Sequence, residues 1–331
     1  GCSQLGDDHA NTRRLLAALC RHPNAGGVLV LGLGCENNAV AGMKAELGNY
    51  DASRIKFLIC QDVEDEVTEG AALVRALVDA ASHDRREPIP ISELVVGLKC
   101  GGSDGLSGIT ANPVVGRLSD LLIRHGGSTI LTEIPEAFGA ETFIMNRAVN
   151  CDVFHKAVDA IEWFKHYFVS HGQVVYENPS PGNKAGGIST LEDKSCGCIQ
   201  KSGSMPLMDV IPYGERIHTA GLNLLYGPGN DLVSSTALTA AGAQLILFTT
   251  GRGTPFGAPV PTIKIATNSL LASRKHNWID FNAGTAVEDE PLDAVAKRLL
   301  AYVCRIASGE RTSSERFGAR EISIFKDGVT L

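Results

Sequence analysis

Two features are missing from this sequence: long hydrophobic runs and basic tracts. No apolar stretch approaches the roughly 20 residues that span a bilayer, and we expect no signal peptide. The formal net charge of −7, without a lysine- or arginine-rich tract, argues against nucleic acid as a partner. What is present, 44% hydrophobic and 20% charged residues in a chain of 331, is typical of a globular protein and excludes a disordered one. We therefore expect neither a membrane nor a nucleic acid as a partner.

The sequence contains nine cysteines. An odd number of cysteines in a large chain without a secretory segment favours reduced thiols over a disulfide framework, so we expect a cytoplasmic protein. The first residue is glycine rather than methionine, and Gly1–Gln4 resembles the end of a strand already passed. We therefore expect the chain to be a fragment that lacks an N-terminal part.

Short apolar runs alternate with helical patterns through most of the chain. The predicted strands lie at 28–31, 55–60, 94–96, 128–133, 222–226, 245–250 and 262–266. This alternation predicts an α/β fold of mainly parallel sheets with flanking helices and Rossmann-like layering. The run Val28–Leu31 has the pattern of a parallel strand that is buried on both faces. Because the composition changes from Tyr176 on, we expect two α/β domains, at 1–175 and 176–331.

The segment Gly97–Pro113 combines several glycines with a thiol, a carboxylate, hydroxyls and an amide. Each glycine costs extra backbone entropy on folding, so this many glycines favour a loop whose backbone a ligand approaches. In open α/β sheets such loops lie at the carboxyl ends of strands, where ligands bind. We therefore predict that this loop is the centre of an active site.

Three cysteines each follow the end of a predicted strand, namely Cys2, Cys35 and Cys100. Loops at one edge of a parallel sheet can converge, and three converging thiols suit an iron–sulfur cluster with one open iron or another thiolate-rich metal site. The alternative is that these are ordinary buried cysteines. Cys196 and Cys198 are too close together for typical zinc-ligand spacing, and the remaining four cysteines lie in contexts that indicate a structural role.

Carboxylates offer a different metal site. Asp7, Asp8 and His9, with Glu36 and Asp104 on neighbouring loops, could hold a hard divalent cation such as Mg²⁺, Mn²⁺ or Fe²⁺. Asp7 or Asp8 could equally cap the helix that follows. The residues alone leave the choice between the thiolate site and the carboxylate site open.

Two basic residues in glycine-rich surroundings could bind a substrate carboxylate. Lys184 lies beside Asn183 and two nearby glycines, with Lys194 ten residues on. With a lowered pKa, Lys184 could also remove a proton α to that carboxylate, although it could instead be an ordinary solvated lysine. Arg252 has a glycine on either side and follows a strand that looks buried, which favours a bidentate contact with a carboxylate.

Longer motifs along the whole chain resemble the altronate/galactarate dehydratase family. These motifs are Gly1–His9, Gly32–Asn38, Lys99–Pro113, Glu177–Gly187, Leu191–Ser195, Thr250–Pro255, Lys264–Ser269 and Lys326–Leu331. Within the family, the first two and the Val-Thr-Leu ending resemble the altronate branch. The resemblance implies a lyase of hexuronate breakdown that removes water from D-altronate to give 2-keto-3-deoxy-D-gluconate. It also implies a small N-terminal domain, which we expect to be missing from this chain.

The resemblance further implies a metal cofactor: iron, as Fe²⁺ or an iron–sulfur cluster, or another divalent metal such as Mn²⁺ or Mg²⁺. The expected metal ligands are Cys2, Cys35, Cys100 and Glu36. The expected catalytic residues are Lys184, as base or carboxylate anchor, with His9 and Asp104. The expected substrate-binding residues are Ser103, Asn112, Asn183, Lys194, Arg252 and Thr254.

Other functions remain compatible with the same residues. The substrate could be galactarate or another sugar acid. A truncated chain could act as a noncatalytic module that binds a sugar acid or a metal, and a redox thiol module is a further alternative. The expected partner is a small sugar acid, and a homo-oligomer is left open.

Overall fold

The computed structural model describes residues 4–330, and its α/β architecture confirms the predicted fold class. The strands are β1 (Val28–Gly32), β2 (Ile55–Ile59), β3 (Val95–Cys100), β4 (Ser128–Leu131), β5 (Leu207–Ile211), β6 (Leu222–Leu225), β7 (Leu245–Thr250), β8 (Thr262–Ala266) and β9 (Phe281–Asn282). Every ladder between these strands is parallel, as the alternating pattern predicted.

Helices connect most of the strands. They are α1 (Gly6–Cys20), α2 (Val40–Leu47), α3 (Glu66–Ser82), α4 (Ala111–Arg124), α5 (Thr142–Met145), α6 (Cys151–Ser170), α7 (Pro181–Ala185), α8 (Leu191–Ile199), α9 (Asp231–Ala240), α10 (Ser269–Arg274), α11 (Leu292–Ala307) and α12 (Ser313–Phe317). Short 3₁₀ helices lie at Cys60–Asp62, Ile91–Glu93, Ile134–Ala137, Gln200–Ser202 and Gly284–Val287. None of the described helices is both long enough and apolar enough to cross a membrane.

Seven of the strands form one sheet, in the order β5-β6-β4-β3-β7-β8-β9. On one face, Leu118 of α4, Phe164 of α6 and Leu299 of α11 belong to the same buried cluster. On the other face, Leu238 of α9 packs in a cluster with Phe248 of β7. Helices therefore cover both faces, which is the layering expected of a parallel sheet.

Two glycines allow close packing around the central strand β3. A Cβ at Gly97 would lie 3.0 Å from Ile246 and 3.2 Å from Leu238, so a side chain there would crowd the neighbouring strand and α9. A Cβ at Gly116 of α4 would lie 2.1 Å from the carbonyl oxygen of Gln200. Helix α4 can therefore approach the 3₁₀ helix at Gln200–Ser202 only because residue 116 has no side chain.

A second sheet contains only β1 and β2. The prediction that Val28–Leu31 is buried on both faces is wrong, because Leu31 is 58% exposed and the three residues before it are only half-buried. The reason is the small size of this sheet: α1 and α2 contribute Ala17 and Met43 to a small core against it, and few other side chains cover it.

The seven-stranded sheet joins parts of the chain on both sides of residue 176. Strands β3 and β4 precede that position, whereas β5 to β9 follow it. The chain passes from the small sheet to the large one between β2 and β3, and the domain boundary at residues 175/176 stays a prediction. The carboxyl ends of β3, β4, β6 and β7 meet at one edge of the large sheet, where a ligand is expected to bind.

A buried lysine in β8 gives the first prediction. Lys264 is 1% exposed, and burial lowers its pKa to about 8, although Asp280 and Glu321 oppose that shift. Because the folded protein binds this proton more weakly than the unfolded chain, the penalty is complete below pH 8 and disappears as the pH rises towards 10.5. We expect Lys264→Met to raise the free energy of unfolding by about 3 kcal/mol at pH 7.

Urea unfolding at pH 7 and at pH 10 measures this effect. The gain should shrink at the higher pH, where the wild-type lysine is neutral in the folded state. Lys297→Met, on the exposed side of α11, is the matched control and should change stability by less than about 0.5 kcal/mol. An equal gain at both pH values would mean that the charge of Lys264 is not the cause.

Candidate active site

Two buried thiols lie at the edge of the large sheet where the strands end. Cys100 is the last residue of β3, and Cys198 lies in the last turn of α8, which Thr190 caps by accepting a hydrogen bond from the backbone of Asp193. Their sulfur atoms are 3.7 Å apart. Lys201 follows on the adjacent 3₁₀ helix, and its Nζ donates to both sulfurs, at 3.0 Å to Cys100 and 2.8 Å to Cys198.

The charge of this lysine and the mutual hydrogen bond set the ionisation of the thiols. The hydrogen bond from Cys198, together with the ammonium of Lys201, holds the pKa of Cys100 well below its usual value. The same hydrogen bond, with burial, raises the pKa of Cys198, which therefore stays the thiol of the pair. Burial disfavours the charged form of Lys201, but the nearby sulfurs and Glu133 raise its pKa well above the usual value. The site thus holds a thiolate, a thiol and an ammonium group in direct contact.

Glu133 connects the thiol pair to a second buried lysine. Its backbone has φ of 67°, in the left-handed region that residues other than glycine rarely adopt, and this turns the side chain back towards β3. The carboxylate accepts from the backbone N–H of Cys100 at 3.0 Å and lies 3.2 Å from Nζ of Lys201. It also pairs with Lys99, whose Nζ donates at 2.8 Å to Asp231 at the start of α9. Both lysines are fully buried, so these carboxylates compensate charges that water does not reach.

A third lysine reaches the same region from α8. Nζ of Lys194 lies 2.5 Å from Oε2 of Glu136 and donates to the hydroxyl of Ser103 at 3.3 Å. Burial opposes the charged form of Lys194, but Cys100 and Glu136 raise its pKa above the usual value. Lys194 is therefore an ammonium group held between a carboxylate and the thiolate.

Two cavities open beside these groups. One, of about 310 Å³, is lined by Cys100, Glu136, Asn183, Lys194, Asp231 and Arg252 among others. The other, of about 320 Å³, is lined by Ser103, Asp104, Asn112, Lys194 and Cys198 among others. Lys194 lines both cavities, and each cavity exposes one thiol of the pair. The first cavity contains charges of both signs and is large enough for a small polar ligand.

The structure brings several of the predicted substrate-binding residues to these cavities. Ser103 and Lys194 are buried there and contact each other, and Arg252 is exposed at the edge of the first cavity. Asn183 lines the same cavity, where its Nδ2 donates to the carbonyl of Ser103 at 3.0 Å. Thr254 is half-buried, and its hydroxyl accepts from the backbone N–H of Phe256 at 3.4 Å.

Two other predicted residues make contacts that hold the loops in place. Asp104 accepts from Thr267 at 2.9 Å and from Asn268 at 3.1 Å, so its carboxylate joins the loop after β3 to the loop after β8. Asn112 donates to the carbonyl of Gly197 at 2.8 Å and accepts from Thr249 at 2.6 Å. Both side chains also line the second cavity, but their polar atoms are already engaged.

The predicted catalytic residues Lys184 and His9 lie elsewhere. Lys184 is exposed on the short helix α7 and is not among the described residues that line either cavity. His9 is half-buried in α1, where its Nε2 is buried and makes no hydrogen bond within residues 4–330. Their roles stay predictions.

The predicted metal ligands do not form one group among the described residues. Cys2 lies outside the described residues. Cys35 is exposed near Gln61, whose Nε2 lies 3.7 Å from its sulfur. Glu36 accepts from the backbone of Gly34 at 2.6 Å and of Leu33 at 2.7 Å, and these bonds hold its pKa below the usual value.

Within residues 4–330, a different set of donor atoms could hold a metal ion. The donor atoms of Cys100, Glu136 and Cys198 all lie within 4.8 Å of one another. Two sulfurs and a carboxylate oxygen suit a borderline divalent cation such as Fe²⁺ better than Mg²⁺. The residues therefore fit a metal by donor chemistry, but Lys201 and Lys194 contact the same groups. A bound cation would have to displace these ammonium groups.

Sequence patterns did not indicate most of the charged groups at this site. The residues that were missed are Lys99, Glu133, Glu136, Cys198, Lys201 and Asp231. The distance in sequence between Cys196 and Cys198 does not reveal that the partner of Cys198 is Cys100. A lysine inside an apolar strand, as at position 99, was the signal that could have revealed a buried ion pair.

Comparison with known proteins identifies the family of this chain. The family model described as "D-galactarate/Altronate dehydratase, C-terminal" matches residues 91–330. A second model, "D-galactarate dehydratase/Altronate hydrolase, second domain", matches residues 1–82. The chain belongs to the D-galactarate/altronate dehydratase family. This confirms the resemblance in the sequence motifs, and the thiol pair with its three lysines lies wholly within the first of these matches.

Individual members of the D-galactarate/altronate dehydratase family are similar over nearly the whole chain. The altronate dehydratase of Bacillus subtilis (strain 168) is 60% identical over 332 residues, and that of Escherichia coli (strain K12) is 54% identical over 331. Both alignments cover 100% of this chain and 67% of the relative. The galactarate dehydratase (L-threo-forming) of E. coli is 36% identical, covering 94% of this chain and 62% of the relative.

Proposed function

We propose that this protein removes water from D-altronate to give 2-keto-3-deoxy-D-gluconate. The observation that carries the proposal is the identity of 54–60% to two altronate dehydratases over the whole chain. The cavity beside Cys100 supports it, because it combines cations that can bind a carboxylate with carboxylates that can accept a proton. The lower identity of 36% to the galactarate dehydratase favours altronate over galactarate.

The first step is substrate binding. Arg252 is the exposed cation at the edge of the cavity, and its guanidinium can bind the substrate carboxylate through two parallel hydrogen bonds. Lys184, which the sequence suggested for the same role, is not among the described residues that line this cavity. The proposed anchor is therefore Arg252.

Proton transfer needs an acceptor for the C2 proton and a donor for the C3 hydroxyl. Asp231 lines the cavity, and Lys99 donates a hydrogen bond to its Oδ1 at 2.8 Å, which holds the carboxylate in place. We assign the acceptor role to Asp231. Lys194, an ammonium group in the same cavity, can donate a hydrogen bond to the departing hydroxyl and so stabilise the negative charge that develops on it. Loss of the proton and the hydroxyl leaves an enol, which tautomerises to the 2-keto product.

A divalent metal, proposed here to be iron, fits the donor atoms of Cys100, Cys198 and Glu136. When bound, such an ion supplies a Lewis acid that stabilises negative charge on the substrate carboxylate. Arg252 and Asp231 act without these three donor residues, whereas Lys194 pairs with one of them, Glu136. We also propose that the protein acts in the cytoplasm.

The test is an assay of the purified protein with D-altronate and, separately, with galactarate, each with and without added Fe²⁺. We expect a product that is lighter by one water and carries a ketone, formed faster from altronate. Faster turnover of galactarate would reverse the choice of substrate. Binding of altronate, with no product from either substrate with or without Fe²⁺, would overturn the proposal in favour of a binding module.

The carboxylate anchor gives a second prediction. Replacing Arg252 with methionine should raise KM for altronate at least about tenfold, because one charged hydrogen bond to a ligand contributes about 1.5–3 kcal/mol. Initial rates over a range of altronate concentrations measure it. The control is Arg274→Met, which replaces the last residue of α10. This variant should leave KM for altronate unchanged. An unchanged KM in Arg252→Met would remove the anchor role.

A further inference from the structure

The thiol pair of Cys100 and Cys198 is arranged for a reaction that dehydration does not require. The sulfurs are 3.7 Å apart, whereas a disulfide needs about 2.05 Å. An approach of less than about 2 Å would therefore bring them to bonding distance. Both sulfurs also accept a hydrogen bond from the same atom, Nζ of Lys201, which holds them beside each other.

Small oxidants can reach this pair although both residues are buried. Cys100 lines the cavity of about 310 Å³, and Cys198 lines the cavity of about 320 Å³ on the other side of Lys194. Each cysteine therefore lies beside a cavity that is large enough for hydrogen peroxide. Cys151 on α6, in contrast, is an exposed cysteine.

We propose that Cys100 and Cys198 form a reversible disulfide when the protein meets hydrogen peroxide. The sulfur of one cysteine attacks a peroxide oxygen, the O–O bond breaks, and a sulfenic acid and water form. The sulfur of the other cysteine then attacks the sulfenic sulfur, the S–O bond breaks, and a second water leaves as the S–S bond forms. In total, two thiols and one peroxide give one disulfide and two waters, with two electrons passing from sulfur to oxygen.

This modification would change the site itself. A disulfide removes both sulfurs from the donor set around Glu136 and takes away the two acceptors of Lys201. A thiol reductant restores both by exchange. This consequence for activity rests on the proposed function, whereas the formation of the disulfide does not.

In the experiment, the protein is first treated with a metal chelator and fully reduced. It is then treated with one equivalent of hydrogen peroxide, and its intact mass is measured. We expect a loss of about 2 Da, which dithiothreitol reverses. Digestion without reduction should give one linked pair of peptides that contain Cys100 and Cys198. The variants Cys100→Ser and Cys198→Ser should lose this link, and the control Cys151→Ser should keep it. Circular dichroism establishes that each variant is folded.

Two results would overturn the proposal that Cys100 and Cys198 form a disulfide. One is a mass gain of oxygen on either cysteine without a link between them, and the other is a link that uses a different cysteine. Dehydration of altronate is measured on the same samples as a separate test. If the link forms and the dehydration rate is unchanged, the proposal that a disulfide forms is supported. The proposal that the two thiols belong to the active site is then wrong. If the protein has no activity before oxidation, only the proposed function fails.

Discussion

Asp231→Asn should lower kcat for altronate by about 10²–10⁴-fold, which is the contribution typical of a general base. Asparagine keeps the shape of the side chain and can still line the cavity, but it cannot accept a proton from C2 of the substrate. Because the substrate carboxylate is assigned to Arg252, KM should change much less than kcat. Steady-state rates over a range of altronate concentrations separate the two constants.

A matched variant distinguishes this assignment from the one the sequence suggested. Lys184→Gln removes the lysine that the glycine-rich motif favoured as the base, at an exposed position where the substitution should not disturb folding. We expect Lys184→Gln to keep near-normal kcat. The reverse result, with Lys184→Gln inactive and Asp231→Asn active, would return the role to Lys184. Since Asp231 also pairs with Lys99, urea unfolding of Asp231→Asn is needed to show that the loss is not one of stability.

Glu133→Ala should lower the free energy of unfolding by about 3–5 kcal/mol, the range seen when one partner of a buried ion pair is removed. The carboxylate pairs with Lys99 and with Lys201, and it also accepts from the backbone of Cys100. Alanine leaves two fully buried ammonium groups with fewer compensating charges and leaves a buried N–H without its acceptor. Urea unfolding at pH 7 measures the loss.

The control for this variant is Glu69→Ala on the exposed side of α3, which should cost less than about 0.5 kcal/mol. Glu133→Gln keeps the volume of the side chain and one acceptor oxygen. Its loss of unfolding free energy should therefore lie between those of Glu133→Ala and Glu69→Ala. If Glu133→Ala were as stable as the control, the buried charges would have to be compensated by groups other than Glu133.

The sequence predicted five of the seven strands of the large sheet and one edge of the site, because both follow from local patterns. The apolar run before Gly97–Pro113 indicated a strand, and the thiol that follows a few residues later, Cys100, was expected at the carboxyl edge of a parallel sheet. The structure places Cys100 there, buried and beside a cavity. The motifs likewise indicated the family, which the comparisons confirm.

What the sequence could not indicate depends on contacts between distant residues. Cys198 meets Cys100 across 98 residues of chain, and no spacing rule connects them. Glu133 looked like the last residue of a strand, since nothing in a glutamate predicts a left-handed backbone. The burial of Val28–Leu31 was overestimated because a continuous apolar run does not reveal how many strands its sheet has.

The close packing at Gly116 has a consequence for interpreting variants of this protein. Residue 116 carries no functional group, and a side chain there would collide with the carbonyl of Gln200, the residue directly before Lys201. Cys198 and Lys201 belong to the same stretch of α8 and its following 3₁₀ helix, so a displacement of that backbone would move both together. A change from glycine to alanine, among the mildest substitutions by chemical class, is therefore expected to be as harmful here as the loss of a charged residue.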